Sequence, residues 1–188
     1  QSIWVAQKSG RSKDGIDVTN PAIIKMLHLS QKKKGVSFSE VIQRTKIVPV
    51  AVSYEYDPLD VNKAAEQLRK HSDKRQYEDV ISMTKGLRGF KGRIHISFGT
   101  PLTDRAYTSP EEVALEIDRQ IHTNYTLWPT NYYAYDYVNS SSAYAEHYQN
   151  FDGEAFLNRF KFRREEVRDF ALNAYANPVR SFLSQQHP

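Results

Sequence analysis

The chain of 188 residues contains no cysteine. Disulfides and thiolate chemistry are therefore excluded, and the composition fits a reducing, cytosolic setting. No apolar run approaches the length of a membrane-spanning helix, so any membrane contact is expected to be peripheral. Tryptophan and methionine are scarce at two residues each, whereas tyrosine numbers twelve and supplies much of the aromatic content.

With 39% hydrophobic and 26% charged residues, the chain has the makeup of a globular protein with a sizeable core. Its net charge of +4 favours anionic partners: phosphorylated metabolites, acidic lipid headgroups or nucleic acid. The sign alone does not choose among them. Nucleic acid is not expected, because the tyrosines and the Arg/Lys groups lie in different segments and no RNA- or DNA-binding motif occurs.

Ile3-Trp4-Val5-Ala6 has the composition of a buried strand, and it feeds a cationic loop, Lys8-Ser9-Gly10-Arg11-Ser12-Lys13. A strand, a Gly-containing cationic turn and a following helix are the parts from which α/β proteins build phosphate sites. Because a strand opens so close to Gln1, further residues are expected upstream. Asn20 and Pro21 then read as cap and first residue of a helix running to about Leu29. Lys32-Lys33-Lys34-Gly35 reads as its dipole-matched, solvated end. Ser37-x-x-Glu40 reads as the start of a short helix.

Lys46 to Tyr54 is almost continuously apolar and β-branched, the pattern of a strand buried on both faces in a parallel sheet. A proline inside such a run signals a bulge, and Val48 and Pro49 are read as lining a site. Helices are expected over about 60–70 and 77–87. Ile94, Ile96 and Phe98 alternate as one covered face of a strand, with His95 on the opposite, surface side. Ser109-Pro110-Glu111-Glu112 opens an amphipathic helix to about His122. Beyond it come a Tyr-rich stretch and two further helices, with Arg159, Lys161, Arg163 and Arg164 forming a basic face. The expected fold is α/β, a mostly parallel sheet flanked by helices over residues 1–126. A Tyr-rich helical extension is expected over 127–188.

Ile3 to Gly15 resembles the third motif of the glycerolipid acyltransferases, which include the glycerol-3-phosphate and 1-acylglycerol-3-phosphate enzymes. Ile47-Val48-Pro49-Val50-Ala51-Val52-Ser53 is similar to their fourth motif, and Phe98-Gly99-Thr100-Pro101-Leu102 resembles the strand step that follows. Thr19-Asn20-Pro21-Ala22, Ser53-Tyr54-Glu55-Tyr56-Asp57-Pro58 and Tyr175-Ala176-Asn177-Pro178-Val179 resemble a bacterial subgroup with a helical C-terminal extension. The resemblance covers almost the whole chain.

It implies acyl transfer from a CoA or acyl-carrier-protein thioester to a glycerol-phosphate hydroxyl, in phospholipid biosynthesis, at the inner face of the membrane. The thioester is a co-substrate, and neither a cofactor nor a metal is implied. Arg11, placed after Gly10, would grip the acceptor phosphate bidentately, with Gly10, Ser12 and Lys13 completing the loop.

The chain departs from the family at two points. Lys8 and Ser9 stand where a Glu usually precedes the Gly-Arg step. The family's catalytic His-x-x-x-x-Asp belongs before the opening strand, so no catalytic residue is assigned and the chain by itself is expected to be inactive. His147 and Asp152 repeat that spacing after all the other motifs, where a surface loop and a helix cap explain them. The alternative function is a non-catalytic module that binds anionic lipid or an acyl carrier through Lys32–Lys34 and Arg159–Arg164.

Overall fold

Helix starts follow the caps written in the sequence. Asn20 Oδ1 accepts from the Ala22 N–H at 2.9 Å, Ser37 Oγ from Glu40 at 3.3 Å and Ser109 Oγ from Glu112 at 3.1 Å. Each removes an orphan donor from a first turn. The computed structural model describes residues 2–8, 10, 12–32, 35–69 and 77–186. Among these are helices α1 (Pro21–Lys32), α2 (Phe38–Thr45), α3 (Asp60–Gln67), α4 (Glu78–Arg88), α5 (Pro110–Asn124), α6 (Pro129–Asn139), α7 (Gly153–Asn158) and α8 (Glu165–Gln186). The strands are β1 (Val50–Tyr54) and β2 (Ile94–Phe98), and a 3₁₀ turn covers Ala145–Tyr148.

The chain divides into two compact units. One comprises residues 1–11, 17–51 and 96–125, the other 12–16, 52–95 and 126–188. In the first, α1 packs on α2 and α5. Its core is Ile24, Ile42, Ala51, Leu102, Tyr107, Val113, Ile117 and Ile121. The segment entering α1 is tied to α5: the Thr19 N–H and hydroxyl both donate to Asp118 Oδ1, at 2.8 and 2.5 Å. In the second unit α8 packs on α6 and α3. Val167, Ala171, Leu172, Tyr175, Ala176 and Val179 recur at helical spacing and are buried. Phe156 and Phe160 join Leu172 and Tyr175 in the core, with the Phe156 ring edge-on to Tyr175 at 5.0 Å.

The expected parallel α/β sheet is not formed. The protein is mostly helical, and β1 and β2 make a two-stranded antiparallel pair. Three local reasons account for the difference. The run from Lys46 to Tyr54 is strand only from Val50, and Ala51 and Ser53 are buried while Tyr54 is exposed. It is therefore a one-sided strand, for which an antiparallel partner suffices. Ile94, Ile96 and Phe98 do alternate, but all three are exposed rather than covered. Ile3, Trp4 and Val5 are exposed and belong to no strand. An extended segment becomes a strand only where a neighbour satisfies its backbone groups.

Candidate functional site

The residues expected to hold an anion fall on either side of a chain segment that changes unit. Gly10 is exposed, with φ of +80° and nothing within 4 Å of where a Cβ would stand, so it acts as a left-handed turn residue. Arg11 lies outside the described residues. Ser12 Oγ donates to the Ile16 carbonyl at 3.3 Å, and Lys13 Nζ pairs with Glu66 Oε1 on α3 at 2.9 Å. Ser12 and Lys13 thus have partners of their own, and the charge of Lys13 is offset locally.

The segment Ser12–Ile16 is held against α8 by fitted parts. Gly15 has φ of +71°, and a Cβ there would stand 2.1 Å from the Ala174 carbonyl oxygen. Pro178 lies four residues after Ala174 and has no N–H with which to take that carbonyl into the helix. The closest approach of the loop is therefore at the carbonyl that proline leaves open. Beside it, Asn177 Nδ2 donates to the Asp14 carbonyl at 2.7 Å.

Val48 is exposed and Pro49 buried. Their segment lies along the one that follows β2: Gly99 N–H donates to the Pro49 carbonyl at 2.8 Å, and Leu102 N–H to the Ile47 carbonyl at 2.9 Å. Gln120 Oε1 accepts from the Thr100 N–H at 2.7 Å, and a Cβ on Gly99 would stand 2.2 Å from that same oxygen. A side chain at Gly99 would displace the Gln120 carboxamide and crowd the Pro49 carbonyl at 3.2 Å.

A second constellation, given no role from the sequence, surrounds Tyr175. Its hydroxyl accepts from the Asp57 N–H at 2.8 Å and donates to Asp60 Oδ2 at 3.1 Å. Arg159 Nη2 donates to the same Asp60 oxygen at 2.7 Å, its guanidinium lying 5.2 Å from the Tyr56 ring centre. Lys63 Nζ meets Asp57 Oδ2 at 2.6 Å. Burial, then the Asp60 carboxylate, pushes the Tyr175 hydroxyl well above its ordinary 10.0. Two acids face two bases, and every acid is engaged. Such a set fixes α3 and α8 together and offers no spare acid or base for chemistry. The chance for sequence reading lay in Asp57-Pro58-Leu59-Asp60, whose two carboxylates flank a helix start.

Arg159 is thereby withdrawn from the expected basic face, whereas Lys161, Arg163 and Arg164 are exposed around an exposed Phe162. Lys33 and Lys34 lie outside the described residues. His147 stacks on Tyr132 at 4.2 Å between ring centres and has Glu146 at 3.6 Å. Asp152 caps α7, accepting from the Ala155 N–H at 2.8 Å. Each of the pair is accounted for by its own neighbours.

Asp136, buried in α6, accepts from Ser141 Oγ, from the Tyr144 N–H at 2.8 Å and from the Tyr148 hydroxyl at 2.9 Å. Burial pushes its carboxyl up, but these bonds outweigh burial and hold it below its ordinary value. This is a loop staple. Among the described residues no group of three or more His, Cys, Asp or Glu could hold a metal ion, and no helix is long and apolar enough to cross a membrane.

Fold and contacts together define a two-unit, mostly helical chain in which the Tyr175 and Asp136 clusters tie elements of the second unit together, while the buried Arg159 Nε has no hydrogen-bond partner among the described residues. Comparison with family models, with curated proteins and with solved structures finds no match.

Proposed function

We propose that the chain is the acceptor-binding part of an acyltransferase, which moves an acyl group from a CoA or acyl-carrier-protein thioester to a glycerol-phosphate hydroxyl. In the reaction the hydroxyl oxygen forms the new ester bond at the thioester carbonyl, the carbon–sulfur bond breaks, and the thiol leaves with the proton lost by the hydroxyl. The role of this chain is to hold the acceptor phosphate. Arg11 makes the bidentate grip, and Gly10 lets the backbone turn to present its N–H groups. Lys13, tied to Glu66, sets the position of the loop more than it supplies charge. The general base is not among these residues, so the chain alone does not turn over. In this reading the protein works in the cytoplasm, peripheral on the inner face of the membrane, in phospholipid biosynthesis.

The observation that carries the reading is the pairing of the motif segments. Those around Pro49 and Gly99 are hydrogen-bonded at 2.8 Å, as are Asp14 and Asn177 at 2.7 Å and Asp57 and Tyr175 at 2.8 Å. Phrases far apart in the chain that share one resemblance also share contacts.

The test is calorimetric titration of the full chain with sn-glycerol 3-phosphate and with its 1-acyl form. The expected result is binding of at least one, weakened about tenfold or more by Arg11→Ala and less by Lys13→Ala. No binding of either, or Arg11→Ala binding as tightly as the parent, overturns the proposal. So does acyl transfer by the chain alone.

A further inference from the structure

Strands β1 and β2 run antiparallel in a fixed register. Gly99 N–H donates to the Pro49 carbonyl at 2.8 Å, and at the other end Glu55 N–H donates to the Arg93 carbonyl at 2.9 Å. Both bonds belong to one register, in which Ala51 stands opposite Ser97 and Ser53 opposite His95. In such a ladder the alternate residues turn their backbone N–H and C=O groups outward. On β2 these are Ile94, Ile96 and Phe98, and among the described residues no strand pairs with β2 on that side. Their side chains share one face and are exposed at 50, 53 and 70%. Tyr54, Val52 and Val50 stand opposite them on β1, so the face is aliphatic or aromatic from edge to edge.

Natural proteins blunt an edge of this kind with lysine, proline or an inward charge. Ile94-His95-Ile96-Ser97-Phe98 contains no Lys, no Pro and no acid. A two-stranded ribbon also falls short of the three or more strands that make a sheet stable by itself. The strand is complementary to itself. Turned about a twofold axis through Ile96, a second β2 meets the first antiparallel, with Ile96 facing Ile96 and Ile94 facing Phe98. Every such pair falls on residues whose backbone groups face outward, so each pair exchanges two backbone bonds. Ile94 on Phe98 is a β-branched residue on an aromatic, a favourable cross-strand contact. His95 then faces Ser97 and Arg93 faces Gly99, so no like charges are opposed.

We propose that β2 is a dimerisation edge, at which two copies of this chain join along Ile94–Phe98 into one antiparallel sheet of order β1-β2-β2-β1. The occupant follows from the edge. Unpaired backbone groups call for a strand, and β2 has the register, side chains and charges to be that strand. Joining sets Ile94, Ile96 and Phe98 of the two copies side by side and takes apolar surface out of water along the seam. The dimer is independent of the acyl-transfer reading, since it uses neither the Gly10–Lys13 loop nor an acceptor.

Sedimentation velocity of the full chain over a range of concentrations is the first measurement. A dimer that dissociates on dilution is expected. Ile96→Lys sets two ammonium groups against each other at the axis and should weaken the dimer about tenfold or more. Phe98→Thr keeps a strand-forming residue, removes the contact with Ile94 and should weaken it too. Both side chains are exposed, so the variants should melt like the parent when dilute. The chain has no cysteine, and Ile96→Cys therefore reports the register. Across the axis the two Cβ atoms would stand about 4.5–5.5 Å apart, so a short bis-maleimide should join the copies, and it should not join those of Asn150→Cys. A parent chain that stays monomeric up to about 1 mM overturns the proposal. So does a dimer that neither Ile96→Lys nor Phe98→Thr weakens, or one in which Ile96→Cys cross-links no better than Asn150→Cys.

Discussion

Helices α4 and α8 belong to the same unit and have the same kind of apolar repeat, yet they use it in opposite directions. In α8 the large residues Leu172, Tyr175 and Val179 are buried. In α4 the large residues Val80, Met83 and Leu87 are exposed, and Ser82 is buried. Periodicity says which residues share a face. It does not say which way the face points. Direction is set by what the rest of the unit can accept, and around α4 that is small: Ser82 is 4% exposed, and a Cβ on Gly89 would stand 2.4 Å from Pro58.

The contrast predicts very unequal costs for truncation. Phe156 is 1% exposed and packs on Tyr175, Phe160, Tyr133 and Tyr56. Phe156→Ala is expected to destabilise the protein by about 3–5 kcal/mol, through lost transfer free energy and the cavity left behind. Urea denaturation followed by circular dichroism measures it. A loss below about 1 kcal/mol would mean that the α8 side of the comparison is wrong.

Next in size is the loop that α8 supports. Gly15→Ala would force a side chain into positive φ and into the Ala174 carbonyl, at an expected cost of about 1–3 kcal/mol. The paired control is Gly10→Ala, where φ is also positive but the surrounding space is open. It should cost no more than about 1–2 kcal/mol. Equal losses at the two positions would show that the contact with α8 adds nothing.

These same places show what could be read in the sequence. Caps at Asn20, Ser37, Ser109 and Asp152 were legible because each is a local bargain between one side chain and the next turn. The sheet was not, because one apolar run fits a strand buried on one face or on two, and only the partner decides. Nor was the Asp57–Asp60–Arg159–Tyr175 set, whose members are separated by about a hundred residues and meet only through helix packing. Of the anion loop, the residue types were plain. That Lys13 answers to Glu66 and Gly15 to Ala174 belongs to tertiary structure.

The pH response separates a buried staple from an exposed surface. Asp136 is held below its ordinary 3.8 in the folded protein. A depressed carboxyl contributes stability that is fully present above its unfolded value and is lost as pH falls through the folded value. Asp136→Asn should therefore be less stable than the parent at neutral pH, by about 1–3 kcal/mol for the weakened bonds to Ser141, Tyr144 and Tyr148. The gap should narrow below pH of about 4. A gap that stays constant across that range would assign the loss to packing.

The smallest expected effect is the one that tests the comparison most directly. Leu87→Ser should change stability by no more than about 0.5 kcal/mol, because the side chain is 80% exposed and gives up little apolar burial on substitution. The same change at Leu172, which is 1% exposed, should cost several times more, on the order of 2–5 kcal/mol. A sequence-level rule that treats both leucines as core predicts equal losses. Thermal melts of the two variants distinguish the cases, and a large loss at Leu87 would mean that α4 buries its apolar face in solution.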